Sequence, residues 1–310
     1  MRCLVTGGAG FIGSNLVDAL LARGDAVTVV DDLSTGRMAN LEPGLENGAE
    51  LVEMDIRDGG ALSRLAQEKR PEAIFHLAAQ IDVRKSLADP FFDAGVNVGG
   101  TANVLEAARA SECGRVVSIS TGGAIYGEGD GQQLPLPEDA PIAPLSAYGQ
   151  SKFAAEGYLS LYERLYGLSG VSLRLGNVYG PRQDPLGEAG VIAIFCGLLK
   201  EGGRPTVFGD GTQTRDYIYV GDVVSAALAA GDSETTGALN VGTGKETNVL
   251  ELIEALKTIS GNESFEPEFA PERTGEVQSI SIDTGRAGRE LGWRAEMDLD
   301  EGLRVTLDSI

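Results

Sequence analysis

The sequence predicts an α/β fold in which a doubly wound parallel sheet carries helices on both faces. Three observations support this prediction. Short β-branched runs alternate with helical patterns in the first half of the chain, the first run leads directly into a glycine-rich loop, and Gly and Pro become more frequent after about residue 179. Sheets of this kind are buried on both faces, and they bind ligands beyond the carboxyl ends of their strands.

The predicted elements follow from these patterns in order. Strands are expected at residues 2–6, 26–30, 50–54, 73–77 and 115–120. Helices are expected at residues 11–22, 59–69, 90–111, 191–199, 222–230 and 249–259. We therefore divide the chain into a Rossmann-type domain at residues 1–178 and a smaller, mainly substrate-binding region at residues 179–310. Residues 238–241 are expected to return to the main sheet.

The composition excludes several classes of function. The 310 residues are 42% hydrophobic and 23% charged, as in an ordinary globular protein. The formal net charge of −21 argues against binding to nucleic acid or to an anionic membrane surface, since both require basic patches. No apolar run approaches the ~18 residues that cross a bilayer. An anionic ligand would be repelled at long range and would need local cationic groups.

The cysteines and the single histidine indicate a cytoplasmic protein without a metal site. Cys3, Cys113 and Cys196 are far apart and form no C-x-x-C pair, and the N-terminus lacks the pattern of a signal peptide. One histidine without clustered ligands argues against zinc. His76 lies in an apolar run, so we expect a buried and hydrogen-bonded side chain rather than a catalytic one.

The loop after the first strand predicts a dinucleotide-binding site. Residues 6–13 read TGGAGFIG, with glycines in the G-x-G-x-x-G spacing between a strand and a helix. Such glycines permit a tight turn and a close approach of the backbone to a pyrophosphate, which then meets the free N–H groups of the helix. The residues expected to bind the cofactor here are Gly7, Gly10, Phe11, Ile12 and Gly13.

Acidic residues after the next two strands predict which dinucleotide binds. Asp31 and Asp32 close the second strand, where a carboxylate is expected to bind the adenosine ribose. Carboxylates there would repel a 2′-phosphate, so NAD is favoured over NADP. Asp55, followed by Ile56, is placed to reach the adenine ring, although a simple helix cap explains Asp55 almost as well.

A tyrosine and a lysine predict the catalytic pair. Residues 148–152 read YGQSK, which places Tyr148 and Lys152 on one face of a helix. A free tyrosine has a pKa of about 10, and a nearby ammonium together with a cationic nicotinamide ring would lower that pKa toward the working range. The spacing alone is common on helices, but it becomes specific after a dinucleotide loop.

The end of the fifth strand offers a third catalytic group. Ser120 and Thr121 precede two glycines, which leave room for a substrate. Strand alternation points the two hydroxyls to opposite faces, so only one of them can reach the reacting alcohol. We expect Thr121 to be that group, and a plain turn is the alternative.

These motifs resemble those of the extended short-chain dehydrogenase/reductase family. The glycine loop, the acidic pair, the tyrosine–lysine pair and AIYG at residues 124–127 carry the resemblance. RLGNVYGPR at residues 174–182, GDGTQTRDY at residues 209–217 and RTGE at residues 273–276 are similar to segments of UDP-glucose 4-epimerases. The resemblance covers essentially the whole chain.

The resemblance implies the remaining site residues. Asn177, Arg215 and Arg273 would hold the UDP diphosphate, and Glu276 would hold the uridine ribose. Arginine forks bind phosphate locally, which suits an acidic protein. Arg182 would assist or lie on the surface, and Ile280 would shape the sugar pocket. The residues implied to line the cofactor are Leu77, Ala78, Ala79 and Asn97.

The implied reaction is inversion of carbon 4 of a UDP-hexose through a transient 4-keto sugar. Tyr148 would remove the proton of the 4-hydroxyl while the hydride passes to NAD, and the hydride would return to the other face. NAD would therefore be regenerated in each turnover. The implied partner is a second copy of the chain, paired through the helices at residues 90–111 and 146–166.

The sequence leaves related functions open. A UDP-glucuronate 4-epimerase or decarboxylase would fit if Arg182 met a carboxylate, and a UDP-N-acetylglucosamine 4-epimerase would need only a wider pocket. A nucleotide-sugar 4,6-dehydratase is disfavoured, because Gly122 and Gly123 stand where an Asp-Glu pair is required. A dehydrogenase would release NADH. A non-catalytic NAD-sensing protein would not need Tyr148 and Lys152.

Overall fold

The computed structural model describes residues 1–128, 131, 133–185, 190–272 and 277–310. The strands are β1 (Arg2–Thr6), β2 (Ala26–Asp31), β3 (Glu50–Glu53), β4 (Ala73–His76), β5 (Arg115–Thr121), β6 (Gly170–Leu175), β7 (Asn177–Tyr179), β8 (Thr206–Phe208), β9 (Thr214–Arg215), β10 (Tyr217–Tyr219), β11 (Gly237–Val241), β12 (Thr247–Asn248) and β13 (Glu268–Ala270).

The helices lie between these strands and after them. They are α1 (Phe11–Ala22), α2 (Met38–Glu46), α3 (Gly59–Lys69), α4 (Val83–Ala88), α5 (Pro90–Ala94), α6 (Thr101–Ala110), α7 (Gly122–Ile125), α8 (Ala147–Tyr166), α9 (Val191–Glu201), α10 (Val220–Gly231), α11 (Val249–Ser260), α12 (Gly285–Leu291) and α13 (Leu299–Ser309). A π-helical turn (Gly95–Gly100) joins α5 to α6.

Seven parallel strands form the central sheet in the order β11-β6-β5-β4-β1-β2-β3. The predicted doubly wound α/β fold is confirmed. The strand order reverses between β1 and β4, so the segments that follow these two strands open a crevice at the carboxyl edge of the sheet. β11 pairs with β6, which shows that residues 238–241 do return to the main sheet.

Alternation along the central strands builds a core on each face of the sheet. On β1, Cys3 and Val5 pack into one apolar cluster, and Leu4 packs into the other. Helices α1 and α10 cover the first face, and α3 and α6 cover the second. A third cluster lies among α9, α11 and α13 in the C-terminal region. The division at residue 178 remains a prediction.

The helix expected at residues 90–111 is present at residues 90–110, but a π-helical turn interrupts its α-helical course. Asp89 caps α5 by accepting a hydrogen bond from the N–H of Phe92, and the chain then widens into the π-helical turn. Gly100 in this turn packs so closely on Ile56 that an added Cβ would lie 2.5 Å from the Ile56 side chain. The wider turn buries Asn97 beside the cofactor-binding edge, where π turns are often functional.

No helix among the described residues combines the length and apolarity of a membrane span. No group of three or more potential metal-ligating side chains occurs within the same part of the chain.

Candidate active site

The glycine loop closes tightly between β1 and α1. Gly7 has a φ of +74°, and a Cβ on it would lie 2.6 Å from the amide nitrogen of Ala78. A Cβ on Gly13 would lie 2.1 Å from the carbonyl oxygen of Gly7. Helix α1 begins after Gly10, and no side chain among the described residues caps its first turn. The free N–H groups of Phe11, Ile12 and Gly13 therefore fit a pyrophosphate.

The two acidic residues after β2 have different surroundings. Asp31 is buried, and its carboxylate accepts hydrogen bonds from the N–H groups of Ala9 and Leu33, both at 2.9 Å. Burial raises the pKa of Asp31. Asp32 is exposed and binds Ser34. Asp31 therefore fixes the glycine loop as well as standing where the adenosine ribose is expected.

Asp55 does not cap a helix. Its carboxylate accepts from Arg57 Nε at 2.8 Å, and this hydrogen bond holds the pKa of Asp55 below its usual value. Asp58 caps α3 instead, by accepting from the N–H of Ala61. The helix-cap explanation is therefore wrong, and Asp55 stays a predicted adenine-site residue beside the buried Ile56.

The segment after β4 is held by Asn97. Leu77, Ala78 and Ala79 are partly buried at this edge, next to Gly7. The Asn97 amide accepts from the N–H of Gln80 at 2.8 Å and donates to the carbonyl of Gln80 at 2.9 Å. Because its side chain is bonded to protein groups, we expect Asn97 to shape the cofactor site by fixing this segment.

His76 at the end of β4 is buried between two hydroxyl groups. Its Nδ1 lies 2.7 Å from Thr6 Oγ1, and its Nε2 lies 2.9 Å from Thr101 Oγ1. Burial, and then the charge of Lys152, lowers the pKa of His76 to about 3. The structure thus places His76 as expected, in a satisfied and uncharged state.

Helix α8 presents Tyr148 and Lys152 to the end of β5. Ser146 caps the helix by accepting from the N–H of Gly149. Thr121 lies beside the Tyr148 hydroxyl, where it lowers the pKa of Tyr148. Lys152 is buried, and its Nζ donates to the carbonyl of Ile119 at 2.8 Å. The structure therefore brings together all three residues that the sequence predicts to be catalytic.

Among the protein's own contributions, burial is the largest, and it disfavours the charged forms of both Tyr148 and Lys152. Burial raises the pKa of Tyr148 to about 12, and Thr121 opposes that change. Burial lowers the pKa of Lys152 to about 8, against the nearby charges of Asp93 and Glu156. The lowering of the Tyr148 pKa by the Lys152 ammonium together with a cationic nicotinamide ring stays a prediction. In this structure the cost of burying the phenolate dominates.

Ser120 points away from Tyr148. Its hydroxyl donates to Glu156 Oε1 at 2.5 Å, and Glu156 forms a buried ion pair with Arg174 at 2.8 Å. The Arg174 guanidinium also donates to the hydroxyl of Tyr126. Ser120 therefore belongs to a structural network with Glu156, Arg174 and Tyr126. Thr121 lies beside the catalytic tyrosine instead.

The substrate side of the site is only partly within the described residues. Asn177 begins β7, and its Oδ1 lies 3.3 Å from the position that a Cβ on Gly123 would take. Arg215 on β9 donates to the carbonyl of Thr214 and forms no ion pair with another described residue. Arg273 and Glu276 lie outside the described residues.

A cavity lies close to this side of the site. Its volume is about 270 Å³, and it is lined by Phe208, Gly209, Asp210, Gln213, Glu272 and Gln278. The cavity adjoins the segment that carries Arg215, and Glu272 directly precedes Arg273 in the chain.

Arg182 and Ile280 both contact other groups of the protein, and their proposed roles at the substrate stay predictions. Arg182 Nη2 binds Asp18 Oδ2 on α1 at 2.6 Å, so this guanidinium closes the C-terminal region onto the cofactor domain. Ile280 is 2% exposed and packs in an apolar cluster with Ile125 and Ile282.

The sequence analysis missed residues that support the site. Gln80, Asp93 and Ser151 bind the side chain of Asn97, and Ser86 accepts from the N–H of Tyr148. The i, i+4 spacing of Asp93 and Asn97 was the available signal, since it places both on one helical face.

Comparison with known proteins agrees with this geometry. Residues 3–242 match the NAD dependent epimerase/dehydratase family. The chain is 48% identical to the UDP-glucose 4-epimerase of Mycolicibacterium smegmatis, over 99% of this chain and 98% of that relative.

Two solved structures of similar proteins extend the comparison to the fold. The UDP-glucose 4-epimerase of Thermotoga maritima with UDP-glucose superposes with a TM-score of 0.95 at 43% identity, covering 100% of this chain and 98% of that one. The UDP-glucose 4-epimerase of Thermus thermophilus with NAD superposes with a TM-score of 0.92 at 43% identity, with the same coverage. This chain therefore belongs to the NAD dependent epimerase/dehydratase family.

Proposed function

We propose that the chain is an NAD-dependent epimerase that inverts carbon 4 of a UDP-hexose, interconverting UDP-glucose and UDP-galactose. The observation that carries the proposal is the convergence of Thr121, Tyr148 and Lys152 beside the dinucleotide loop. Full-length identity of 48% to a UDP-glucose 4-epimerase supports the choice of reaction and substrate.

The residues of the crevice fit NAD. The uncapped first turn of α1 would hold the pyrophosphate, and Asp31 with Asp32 would hold the adenosine ribose and exclude a 2′-phosphate. Asp55, Ile56 and residues 77–79 would line the rest of the cofactor. When bound, NAD supplies the hydride acceptor and donor together with a cationic ring that favours the Tyr148 phenolate.

The chain's own residues would manage the proton and the sugar. Tyr148 would take the proton of the 4-hydroxyl and return it to the other epimer. Thr121, which lies beside the Tyr148 hydroxyl, would hydrogen bond to the sugar 4-hydroxyl and orient it toward Tyr148. Lys152, fixed on the carbonyl of Ile119, would place a positive charge beside the phenolate when protonated.

Asn177 and Arg215 would bind the UDP diphosphate, together with Arg273, while Glu276 would bind the uridine ribose. The support for Arg215 is that its guanidinium forms no ion pair within the described residues, although the protein carries a net charge of −21. A guanidinium without a carboxylate partner is suited to a bidentate contact with phosphate.

Two alternative reactions lose support from the structure. A dehydratase needs acidic side chains after Thr121, but a Cβ at Gly122 would lie 2.8 Å from the side chain of Ile282. A UDP-glucuronate enzyme would need Arg182 to bind the sugar carboxylate; Asp18 already occupies Nη2, so only the buried Nη1, which has no partner among the described residues, is left for such a contact. The substrate panel at the end of this subsection tests activity on UDP-N-acetylglucosamine.

A homodimer formed through α5 and α8 is part of the proposal. Large apolar side chains are exposed on or beside these helices, with Phe91 at 89% and Leu165 at 61%. Exposed apolar surface of this kind marks contact sites. Phe91→Glu should yield monomers in analytical ultracentrifugation, and an unchanged oligomer would remove this face. Three buried free cysteines support the proposed cytoplasmic location.

The proposed function is tested with a substrate panel. The protein is incubated separately with UDP-glucose, UDP-galactose, UDP-N-acetylglucosamine, UDP-glucuronate and dTDP-glucose, and the products are identified by NMR. We expect the UDP-glucose and UDP-galactose reactions to reach the same mixture. Loss of water or carbon dioxide from any sugar, or no reaction with the two UDP-hexoses, would refute the proposal.

A further inference from the structure

A buried carboxylate lies behind the catalytic pair. Asp93 belongs to α5, which packs against α8, and its side chain is 1% exposed. Its Oδ1 accepts from Gln80 Nε2 at 2.9 Å and from Asn97 Nδ2 at 3.2 Å. Its Oδ2 accepts no hydrogen bond from any residue that the structure describes. Because buried polar atoms are nearly always paired, this oxygen requires an explanation.

Hydrogen bonds connect Asp93 to the helix that carries the pair. The Asn97 amide that binds Asp93 also donates to Ser151 Oγ at 3.0 Å. Ser151 Oγ in turn donates to the carbonyl of Tyr148 at 3.0 Å. The side chains of Asn97 and Ser151 therefore connect Asp93 to the backbone of Tyr148. These hydrogen bonds fix the position of Asp93 relative to Tyr148 and Lys152.

The other charged or titratable groups near Lys152 in the part of the chain that the structure describes are paired, uncharged or exposed. Glu156, one turn further along α8, is bound by Arg174 and Ser120. His76 on β4 is uncharged, since burial lowers its pKa to about 3. On α4, Arg84 and Lys85 are exposed.

Asp93 differs from Glu156 in its partners. The hydrogen bonds to Asp93 come from neutral amides, and no other residue that the structure describes forms an ion pair with its carboxylate. In a buried environment, a charge of this kind acts on its neighbours over several ångströms with little screening.

We propose that Asp93 is a positioning residue whose negative charge holds the protons of the Tyr148–Lys152 pair, and so sets the pH range in which the pair works. The inference rests on the proposed function. A negative charge favours the protonated form of both groups, and Asp93 raises the pKa of Lys152 and of Tyr148. Since the two groups are coupled, they release their protons in two shared steps, and loss of the carboxylate charge would lower both.

The test is the variant Asp93→Asn, which keeps an amide oxygen for Gln80 and Asn97 but removes the charge. We expect both limbs of the pH profile of kcat to move toward acid by about one pH unit. A purely structural role would lower kcat at every pH and leave the limbs in place, and that result would overturn the proposal. Asp89→Asn is the matched control, because this exposed residue caps the same helix, and it should leave both limbs unchanged.

A second readout does not depend on turnover. The ultraviolet absorbance of tyrosinate is titrated, and the signal of a Tyr148→Phe protein is subtracted to isolate Tyr148. In Asp93→Asn the Tyr148 step should begin at lower pH, whether or not the protein converts UDP-hexoses. An unchanged step would contradict the role of Asp93 even if the epimerase activity were established. If Asp93→Asn does not fold, Asp93→Ser removes the same charge and takes its place.

Discussion

Ser120 and Thr121 are neighbours on β5, and we predict that their removal has opposite consequences. Thr121→Ala deletes the hydroxyl that lies beside the Tyr148 hydroxyl and stabilises its phenolate, so it should slow turnover. The free energy of unfolding should be nearly unchanged. Ser120→Ala deletes the hydroxyl that donates to the buried Glu156 at 2.5 Å, so it should destabilise the fold and leave turnover nearly unchanged. The two variants thereby separate the roles of two neighbouring hydroxyls that both reach α8, Thr121 beside Tyr148 and Ser120 bound to Glu156.

The magnitudes follow from the type of hydrogen bond lost. A hydrogen bond to a charged group contributes about 1.5–3 kcal/mol, which applies to Ser120 with the Glu156 carboxylate and to Thr121 with the phenolate that develops on Tyr148. For Thr121→Ala this corresponds to roughly a tenfold to hundredfold lower kcat. For Ser120→Ala the free energy of unfolding should fall by an amount in the same range. The loss should be at the lower end of that range, because Arg174 continues to bind Glu156.

The assay measures kcat with UDP-galactose and the free energy of unfolding in urea for each variant. Thr121→Ser is the matched control, because it restores a hydroxyl at the same position and should recover most of the rate. A large loss of rate in Ser120→Ala with Thr121→Ala unaffected would show that the strand register is wrong. If neither variant lost activity, Tyr148 would take the proton without help from the strand.

Three further predictions concern the base, the buried histidine and the loop. Tyr148→Phe should bind UDP-glucose normally but lose about 10²–10⁴-fold in kcat, and retention of more than a tenth of the rate would exclude it as the base. Because burial lowers the pKa of His76 to about 3, its unfolded form binds an extra proton below about pH 6.5, and stability is lost as the pH falls. The stability difference between wild type and His76→Asn should therefore shrink by about 2 kcal/mol from pH 7 to pH 5 in urea unfolding, and a constant difference would contradict a neutral His76. Gly13→Ala should weaken NAD binding at least about tenfold in calorimetry, because its Cβ would lie 2.1 Å from the Gly7 oxygen, whereas Gly157→Ala meets no atom within 4 Å and should bind NAD normally.

Local patterns were sufficient for the elements that contact the cofactor. Helix α1 and strand β1 have the predicted bounds, because a glycine loop between an apolar strand and an apolar helix has few alternative structures. The i, i+4 spacing of Tyr148 and Lys152 likewise placed both on α8. Strand alternation indicated that only one of Ser120 and Thr121 faces the site, and the position of Thr121 at the end of the strand favoured Thr121.

Contacts between distant segments were beyond the reach of those patterns. No local signal showed that Arg182 would bind Asp18, which lies 164 positions earlier in the chain. The π-helical turn depends on how Gly100 packs against Ile56 from another loop. The raised pKa of Tyr148 depends on burial, which only the assembled fold determines.

The account rests on one claim, that this chain returns the hydride it removes from carbon 4 to the same sugar. The direct measurement is NMR of UDP-galactose in deuterium oxide with protein purified without added nucleotide, while NADH absorbance is recorded. We predict conversion to UDP-glucose without deuterium at carbon 4 and without accumulation of NADH, because a bound cofactor carries the hydride out and back. Deuterium at carbon 4, or NADH formed in step with sugar consumption, would contradict the claim.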